Sequence, residues 1–152
     1  LLLLVLMFIG GCAGSTGGGV KVIRIQVTTK AAYRELKRIA SPRSVSTVRV
    51  GHNVVKEPTV SAILGVVSFF MGTFVVSSIV MAAMGLDLVT ATSAVAACLG
   101  NIGPGLGPRI GPAGNYASLP DTAKFLLCLG MLMGRLELFT VLVLFTPAFW
   151  RE

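Results

Sequence analysis

The segment Gly100-Asn101-Ile102-Gly103-Pro104-Gly105-Leu106-Gly107 lies between two long apolar stretches, and it decides the fold class of this chain. Irregular backbone rich in glycine and proline cannot face lipid, because hydrocarbon offers no partners for its peptide groups. At membrane depth it is tolerated only where it is buried in protein or lines a water-filled path. Rings of backbone carbonyls in that position replace the hydration shell of a cation. The segment therefore predicts part of an all-α integral membrane protein that conducts ions.

The composition and the position of the charges support the membrane class. Of the 152 residues, 54% are hydrophobic and only 12% are charged, against about 25% charged in an average soluble domain. Residues 21–57 contain nine basic and two acidic residues, which accounts for the whole formal net charge of +7. A basic connection between apolar spans is typical of the cytoplasmic side and contacts anionic lipid headgroups. With one aromatic residue, Tyr33, and no recognisable binding module, this connection is not expected to bind nucleic acid.

The apolar stretches predict two spans and one half-crossing helix. Residues 58–85 carry no charge and are long enough for one tilted span. Residues 88–99 follow Asp87, are too short to span, and end at the glycine-proline segment. This is the arrangement of a re-entrant pore loop, whose helix C-terminus favours a cation. A polar outer loop, residues 109–120, then leads to a last span at residues 123–147, with Trp150 and Arg151 at the interface.

The part of the chain before residue 58 contains a second irregular segment. Residues 1–9 are apolar but reach only half way across a bilayer, so the chain is expected to begin inside a span. Residues 10–19 include six glycines, each of which costs about 1 kcal/mol relative to Ala inside a helix. This segment lacks the Gly-Lys-Ser/Thr end of a phosphate-binding loop, so a flexible break in a membrane helix is predicted. Residues 20–56 then form the cytoplasmic connection, with a helix at 31–39 and an extended stretch at 45–50.

Arg135 breaks the apolar character of the last span. An Arg at the centre of a membrane helix costs at least about 2.5–3.5 kcal/mol on insertion scales, so it needs a partner or water. Glu137 is two residues away and lies on another side of a helix. The residues alone leave open whether Arg135 faces an ion path or is bound to carbonyls or a carboxylate for packing.

Neither the cysteines nor the histidine predicts chemistry. Cys12, Cys98 and Cys128 form no CxxC pair and lie in or beside apolar or glycine-rich sequence. His52 lies in a polar loop and is expected to be solvated. We therefore expect no catalytic residue, and the chain is not predicted to be an enzyme.

Three segments together resemble the TrkH-type family of bacterial potassium-uptake proteins, of the Trk/Ktr/HKT superfamily. They are residues 8–24, 100–107 and 134–151, and their order agrees with that family. The resemblance implies four channel-like repeats around one ion path, each made of a helix, a pore loop and a second helix. Residues 1–57 would be the end of the third repeat and residues 58–152 the fourth. The chain is therefore expected to be the C-terminal part of a longer pore-forming subunit.

The resemblance also implies the site residues. The backbone carbonyls of Asn101, Ile102 and Gly103 would hold potassium, and Arg135 would be a pore-facing charge. The ion filter would consist of Gly100, Asn101, Ile102, Gly103, Pro104 and Gly105. The gating loop beneath it would consist of Gly10, Gly11, Cys12, Ala13, Gly14, Ser15, Thr16, Gly17, Gly18 and Gly19.

The sequence thus predicts potassium uptake by a multi-pass protein of the bacterial inner membrane, with K⁺ as the transported ion and no covalently bound cofactor. The expected partners are membrane lipid, a second copy in a homodimer of the full-length protein, and a TrkA-like cytoplasmic nucleotide-binding regulatory subunit. Asn101 and Pro104 differ from the Thr-Val-Gly-Tyr-Gly type of filter, which predicts weaker discrimination of potassium from sodium. Two alternatives stay open: a non-conducting two-span anchor or interaction subunit, and a sodium-coupled potassium transporter of the same superfamily.

Overall fold

The computed structural model describes residues 2–12, 18–41, 47–51, 53–107 and 109–136. These residues form helices joined by short connections, with one small hairpin and one 3-10 turn. In chain order the elements are α1 (Leu2–Ile9), α2 (Val22–Ala40), β1 (Arg49–Val50), β2 (Asn53–Val54), α3 (Glu57–Ala83), α4 (Leu88–Leu99), the 3-10 turn (Tyr116–Ser118) and α5 (Asp121–Arg135).

Helix α3 is the membrane span that the sequence predicts. Its 27 residues extend about 40 Å at 1.5 Å per residue, which exceeds a hydrocarbon core of about 30 Å. Pro58 lies in the first turn, where its missing N–H removes no bond, and Glu57 lies at the positive end of the helix dipole. Within the described residues it is the one helix long and apolar enough to cross a bilayer, and only 11% of its most apolar window is buried. A core helix of a soluble protein would be mostly buried.

Helix α4 has the predicted bounds, Leu88–Leu99, and is the most buried helix in the described part of the chain. Nine of its 12 residues are buried, and it packs against α1, α3 and α5. Alanine and serine on its surface let these neighbours approach closely, as in membrane helix packing generally. The core around it consists of Met81, Leu86, Ala91, Ala94, Val95, Cys98, Ile110, Leu119, Ala123 and Leu127.

Helix α1 and helix α2 lie on either side of the predicted break. Phe8 near the end of α1 contacts Phe70 and Phe74 of α3 edge-on, with ring centroids 6.2 and 4.7 Å apart. The chain then leaves helical conformation at Gly10, whose φ is +68°, and becomes helical again at Val22. The described residues thus contain a helix broken at the glycine-rich segment.

The helix predicted for residues 31–39 was too short. Helix α2 begins nine residues earlier, because Val27 and Ala31 are buried in a cluster with Val48 and Val60. The β-branched Val, Ile and Thr residues of this stretch favour helix weakly on their own. Tertiary burial against the start of α3 overrides that preference.

The remaining connection is tied to the helices by polar contacts. Glu57 accepts hydrogen bonds from the Arg34 guanidinium, and Lys30 Nζ donates to the carbonyl of Arg49 at 2.8 Å. Strands β1 and β2 pair antiparallel around Gly51, so the end of the predicted extended stretch at 45–50 is a strand and its beginning lies outside the described residues.

Helix α5 begins at Asp121, as predicted for the last span, and is described as far as Arg135. The rest of the predicted span, together with Glu137, Trp150 and Arg151, lies outside the described residues.

Candidate functional site

Helix α4 ends in a Schellman turn that leads into the irregular segment. The N–H of Asn101 donates to the carbonyl of Cys98 at 3.0 Å, and the N–H of Ile102 donates to that of Ala97 at 2.9 Å. Asn101 has φ +52°, a left-handed conformation that Asn tolerates better than most residues. The turn therefore satisfies the last carbonyls of α4 locally and directs the chain out of the helix at a fixed position.

The next residues form an exposed strip of backbone. Ile102, Gly103 and Pro104 are exposed, while Gly100 and Gly105 on either side are buried. Gly103 has φ +105°, which side-chain-bearing residues rarely adopt, although no atom lies within 4 Å of where its Cβ would be. Backbone conformation rather than lack of space therefore requires glycine here.

Three side-chain hydrogen-bond contacts join this segment to α4, to α5 and to the 3-10 turn. The hydroxyl of Ser93 in α4, which is fully buried, lies 2.6 Å from the carbonyl of Val89 and 3.1 Å from that of Leu106, so its single proton is donated to one of them at a time. The side-chain amide of Asn101 donates to the carbonyl of Met131 in α5 at 2.9 Å. The hydroxyl of Tyr116 donates to the carbonyl of Gly103 at 2.8 Å. These contacts hold the segment at Asn101, at Gly103 and at Leu106.

The glycine-rich break packs against the start of the predicted filter segment. A Cβ added to Gly18 would lie 2.6 Å from the carbonyl oxygen of Gly100 and 3.0 Å from Cβ of Asn101. Glycine is therefore needed at Gly18 for close approach of two backbones. The structure brings these two predicted segments together although they are more than 80 positions apart.

The two ends of the break are also bonded to each other. The N–H of Val20 donates to the carbonyl of Phe8 at 3.3 Å, and that of Val22 donates to Gly11 at 3.1 Å. Gly10 and Gly19 both have positive φ and lie in contact. Of the predicted gating residues, Ala13, Gly14, Ser15, Thr16 and Gly17 lie outside the described residues.

Arg135 lies on α5 at the level of the last turn of α4. The preceding residue, Gly134, packs with its α-carbon against the carbonyl of Leu99, and Gly130 faces the same leucine one turn earlier. Small residues four apart are the usual means by which membrane helices cross closely. Arg135 itself is exposed in this chain. It is thus placed just below the start of the filter segment.

Sequence reasoning missed Ser93, Tyr116 and Gly134. Ser93 is a polar residue in an apolar helix, which could have indicated a buried hydrogen bond. Tyr116 carries no such signal, because its partner depends on how the outer loop folds back.

A spanning helix, a half-crossing helix that ends at exposed irregular backbone, and a second apolar helix define the pore-loop unit of a membrane transport protein. The chain belongs to the TrkH family of cation transport proteins, whose family model matches residues 1–152. The resemblance and the fold class predicted from the sequence are therefore confirmed. This places the chain among membrane proteins of ion transport.

Similar proteins are named as potassium uptake proteins. The Trk system potassium uptake protein TrkH of Vibrio parahaemolyticus is 50% identical over 151 residues, covering 99% of this chain and 30% of that protein. TrkH of Escherichia coli K12 is 48% identical over 151 residues, covering 99% of this chain and 31% of that protein. The crystal structure of the potassium transporter TrkH from Vibrio parahaemolyticus matches with a TM-score of 0.86 at 49% identity, covering 99% of this chain and 31% of that one. The chain thus spans about a third of the length of these relatives.

Proposed function

We propose that the complete protein takes up potassium across the bacterial inner membrane and that this chain supplies one filter segment and the loop beneath it. The observation that carries the proposal is the contact between Gly18 and Gly100, which places the glycine-rich break against the base of an exposed, glycine-bearing strip. The names of the similar proteins support potassium as the ion. One such strip cannot surround an ion, so the path needs equivalent strips from other repeats.

The ion contacts are assigned to backbone carbonyls. The C-terminal end of α4 carries partial negative charge and ends where the strip begins, which favours a cation there. Carbonyls of Asn101, Ile102 and Gly103 replace water around the ion. A carbonyl oxygen has two lone pairs, so Gly103 can accept from Tyr116 and still contact potassium.

The gating role is assigned to the glycine-rich break and to Arg135. The break obstructs the path where Gly18 lies against Gly100, and conduction requires this contact to open. Arg135 follows the residue that packs on the end of α4 and adds a positive charge below the filter. A cation passing this level meets that charge, so Arg135 raises the barrier until the break moves.

The partners are a second copy of the full-length protein and a cytoplasmic nucleotide-binding subunit similar to TrkA. The end of α2 supports the second assignment. Tyr33, Leu36 and Ile39 are 70%, 66% and 79% exposed on that helix. Lys37 and Arg38 lie among them. An apolar strip within basic surface on the cytoplasmic side is suited to contact with another protein.

Rubidium uptake by the full-length protein in potassium-requiring cells tests the proposal. Substituting Gly103 by Val should reduce uptake about 5- to 30-fold, because a left-handed backbone costs about 1–2 kcal/mol for a residue with a side chain and the strain would displace the carbonyl. Gly85→Val is the matched control, since Gly85 also has positive φ and open space but joins α3 to α4. Equal loss in both variants would contradict the filter assignment, and absence of uptake by the parent would favour a non-conducting membrane subunit. Uptake that requires sodium would favour the sodium-coupled alternative.

A further inference from the structure

The outer loop carries a tyrosine that contacts the filter segment. Tyr116 begins the 3-10 turn, which is capped at Asn115, whose side-chain oxygen accepts from the N–H of Ala117 at 3.2 Å. The turn is followed by Leu119, which is 3% exposed and belongs to the core around α4. Tyr116 is therefore held by a capped turn on one side and a buried residue on the other.

An open pocket lies beside the proposed filter segment. A cavity of about 590 Å³ lies between the strip, α4, α5 and the outer loop, and it is large enough for many water molecules. Gly103, Tyr116, Cys98 and Cys128 are among its lining residues. No atom lies within 4 Å of the position that a Cβ on Gly103 would occupy, so no packed neighbour supports the strip there.

Beside this pocket, the hydroxyl of Tyr116 donates directly to the carbonyl of Gly103 at 2.8 Å. A carbonyl in a filter must keep a fixed distance to the ion if cations of different radius are to be distinguished. Burial raises the pKa of Tyr116, which lies in the outer loop, to about 12. The phenol therefore stays protonated and able to donate throughout the pH range in which cells grow.

We propose that Tyr116 is a positioning residue for cation discrimination, because its hydroxyl is hydrogen-bonded to the carbonyl of Gly103, a residue with no packed neighbour where a Cβ would lie. This rests on the proposed uptake function. The bond fixes where a filter carbonyl stands without touching the ion path. Its loss should let the strip contract around sodium while the chain remains folded.

The test compares Tyr116→Phe with the parent in the full-length protein. This change removes the hydroxyl and keeps the ring. Thr73→Val is the control, since it also removes one hydroxyl, and that hydroxyl donates to the Phe69 carbonyl within α3 at 2.9 Å. Rubidium uptake, its inhibition by sodium and the amount of protein in the membrane are measured for each. We expect the rubidium-to-sodium discrimination of Tyr116→Phe to fall between about twofold and tenfold, the range of one net hydrogen bond, with no change in Thr73→Val.

Each outcome separates the inference from the function on which it rests. If the parent takes up rubidium and Tyr116→Phe discriminates as the parent does, the positioning role is wrong and the proposed function stands. If the parent takes up no rubidium, the proposed function fails and the inference fails with it.

A second variant keeps the test decisive if Tyr116→Phe does not reach the membrane. A polyfluorinated tyrosine placed at position 116 keeps the hydroxyl but has a much lower pKa. Below that pKa its discrimination should equal that of the parent, and above it the phenolate cannot donate and discrimination should fall. Discrimination that does not change with pH would overturn the inference, and the parent measured over the same pH range is the control.

Discussion

Replacing Gly18 by Ala tests whether the contact between the glycine-rich break and the filter base closes the path. The added Cβ would lie 2.6 Å from the carbonyl oxygen of Gly100 and 2.9 Å from its carbonyl carbon. Both are backbone atoms of a turn that is fixed by hydrogen bonds, so they cannot rotate away as a side-chain end would. Gly18 has no positive φ, so the substitution adds volume without backbone strain.

Overpacking of this kind costs about 1–3 kcal/mol. If only the closed arrangement contains the contact, that cost shifts the closed-to-open ratio toward open by about 5- to 150-fold. The assay is basal rubidium flux into proteoliposomes that contain the full-length protein without a regulatory subunit. We expect flux per inserted molecule to rise in Gly18→Ala.

The control for this experiment is Gly72→Ala in the middle of α3, where no atom lies within 4 Å of the added Cβ. It should leave flux unchanged. Flux in Gly18→Ala equal to or below that of the parent, at equal insertion, would refute the reasoning that this contact belongs to the closed state.

Two further substitutions test the packing that holds the site. Gly134→Ala places a methyl group against the carbonyl of Leu99 and should destabilise the protein by about 1–3 kcal/mol, seen as a lower midpoint of thermal unfolding in detergent. The control is Gly130→Ala, which should be tolerated because the nearest neighbour of its added Cβ is 3.8 Å away. Equal midpoints for the two variants would contradict the predicted helix crossing. Ser93→Ala removes the partner of a filter-loop carbonyl and should lower stability by about 1 kcal/mol in the same assay. Thr92→Ala, whose hydroxyl bonds only within α4, should lower it less, and the reverse order would exclude the tether.

The parts of the fold that sequence predicted well are those fixed by local chemistry. The bounds of α4 follow from Asp87 before it and from the glycine-proline segment after it. The start of α3 follows from Pro58, and a long uncharged stretch is enough to predict its span. These signals act within a few residues and need no knowledge of the rest of the chain.

The parts that sequence did not predict depend on residues far apart in the chain. Helix α2 extends to Val22 because Val27 meets Val60, a pairing that no local pattern reveals. The contact of Gly18 with Gly100 and the bond of Tyr116 to Gly103 depend likewise on how the chain returns. The family resemblance predicted that the two segments form a filter and a gating loop. The structure shows which of their described atoms are in contact.

The hydrogen bonds from Val20 to Phe8 and from Val22 to Gly11 fasten the two ends of the glycine-rich break to each other. These two bonds, rather than the residues between them, therefore set the distance between α1 and α2. An insertion or deletion between Gly11 and Gly18 would leave these two hydrogen bonds, and with them the packing of α1 and α2, in place. A change of length between Gly11 and Gly18 would therefore alter the proposed gate while these two bonds keep α1 and α2 together.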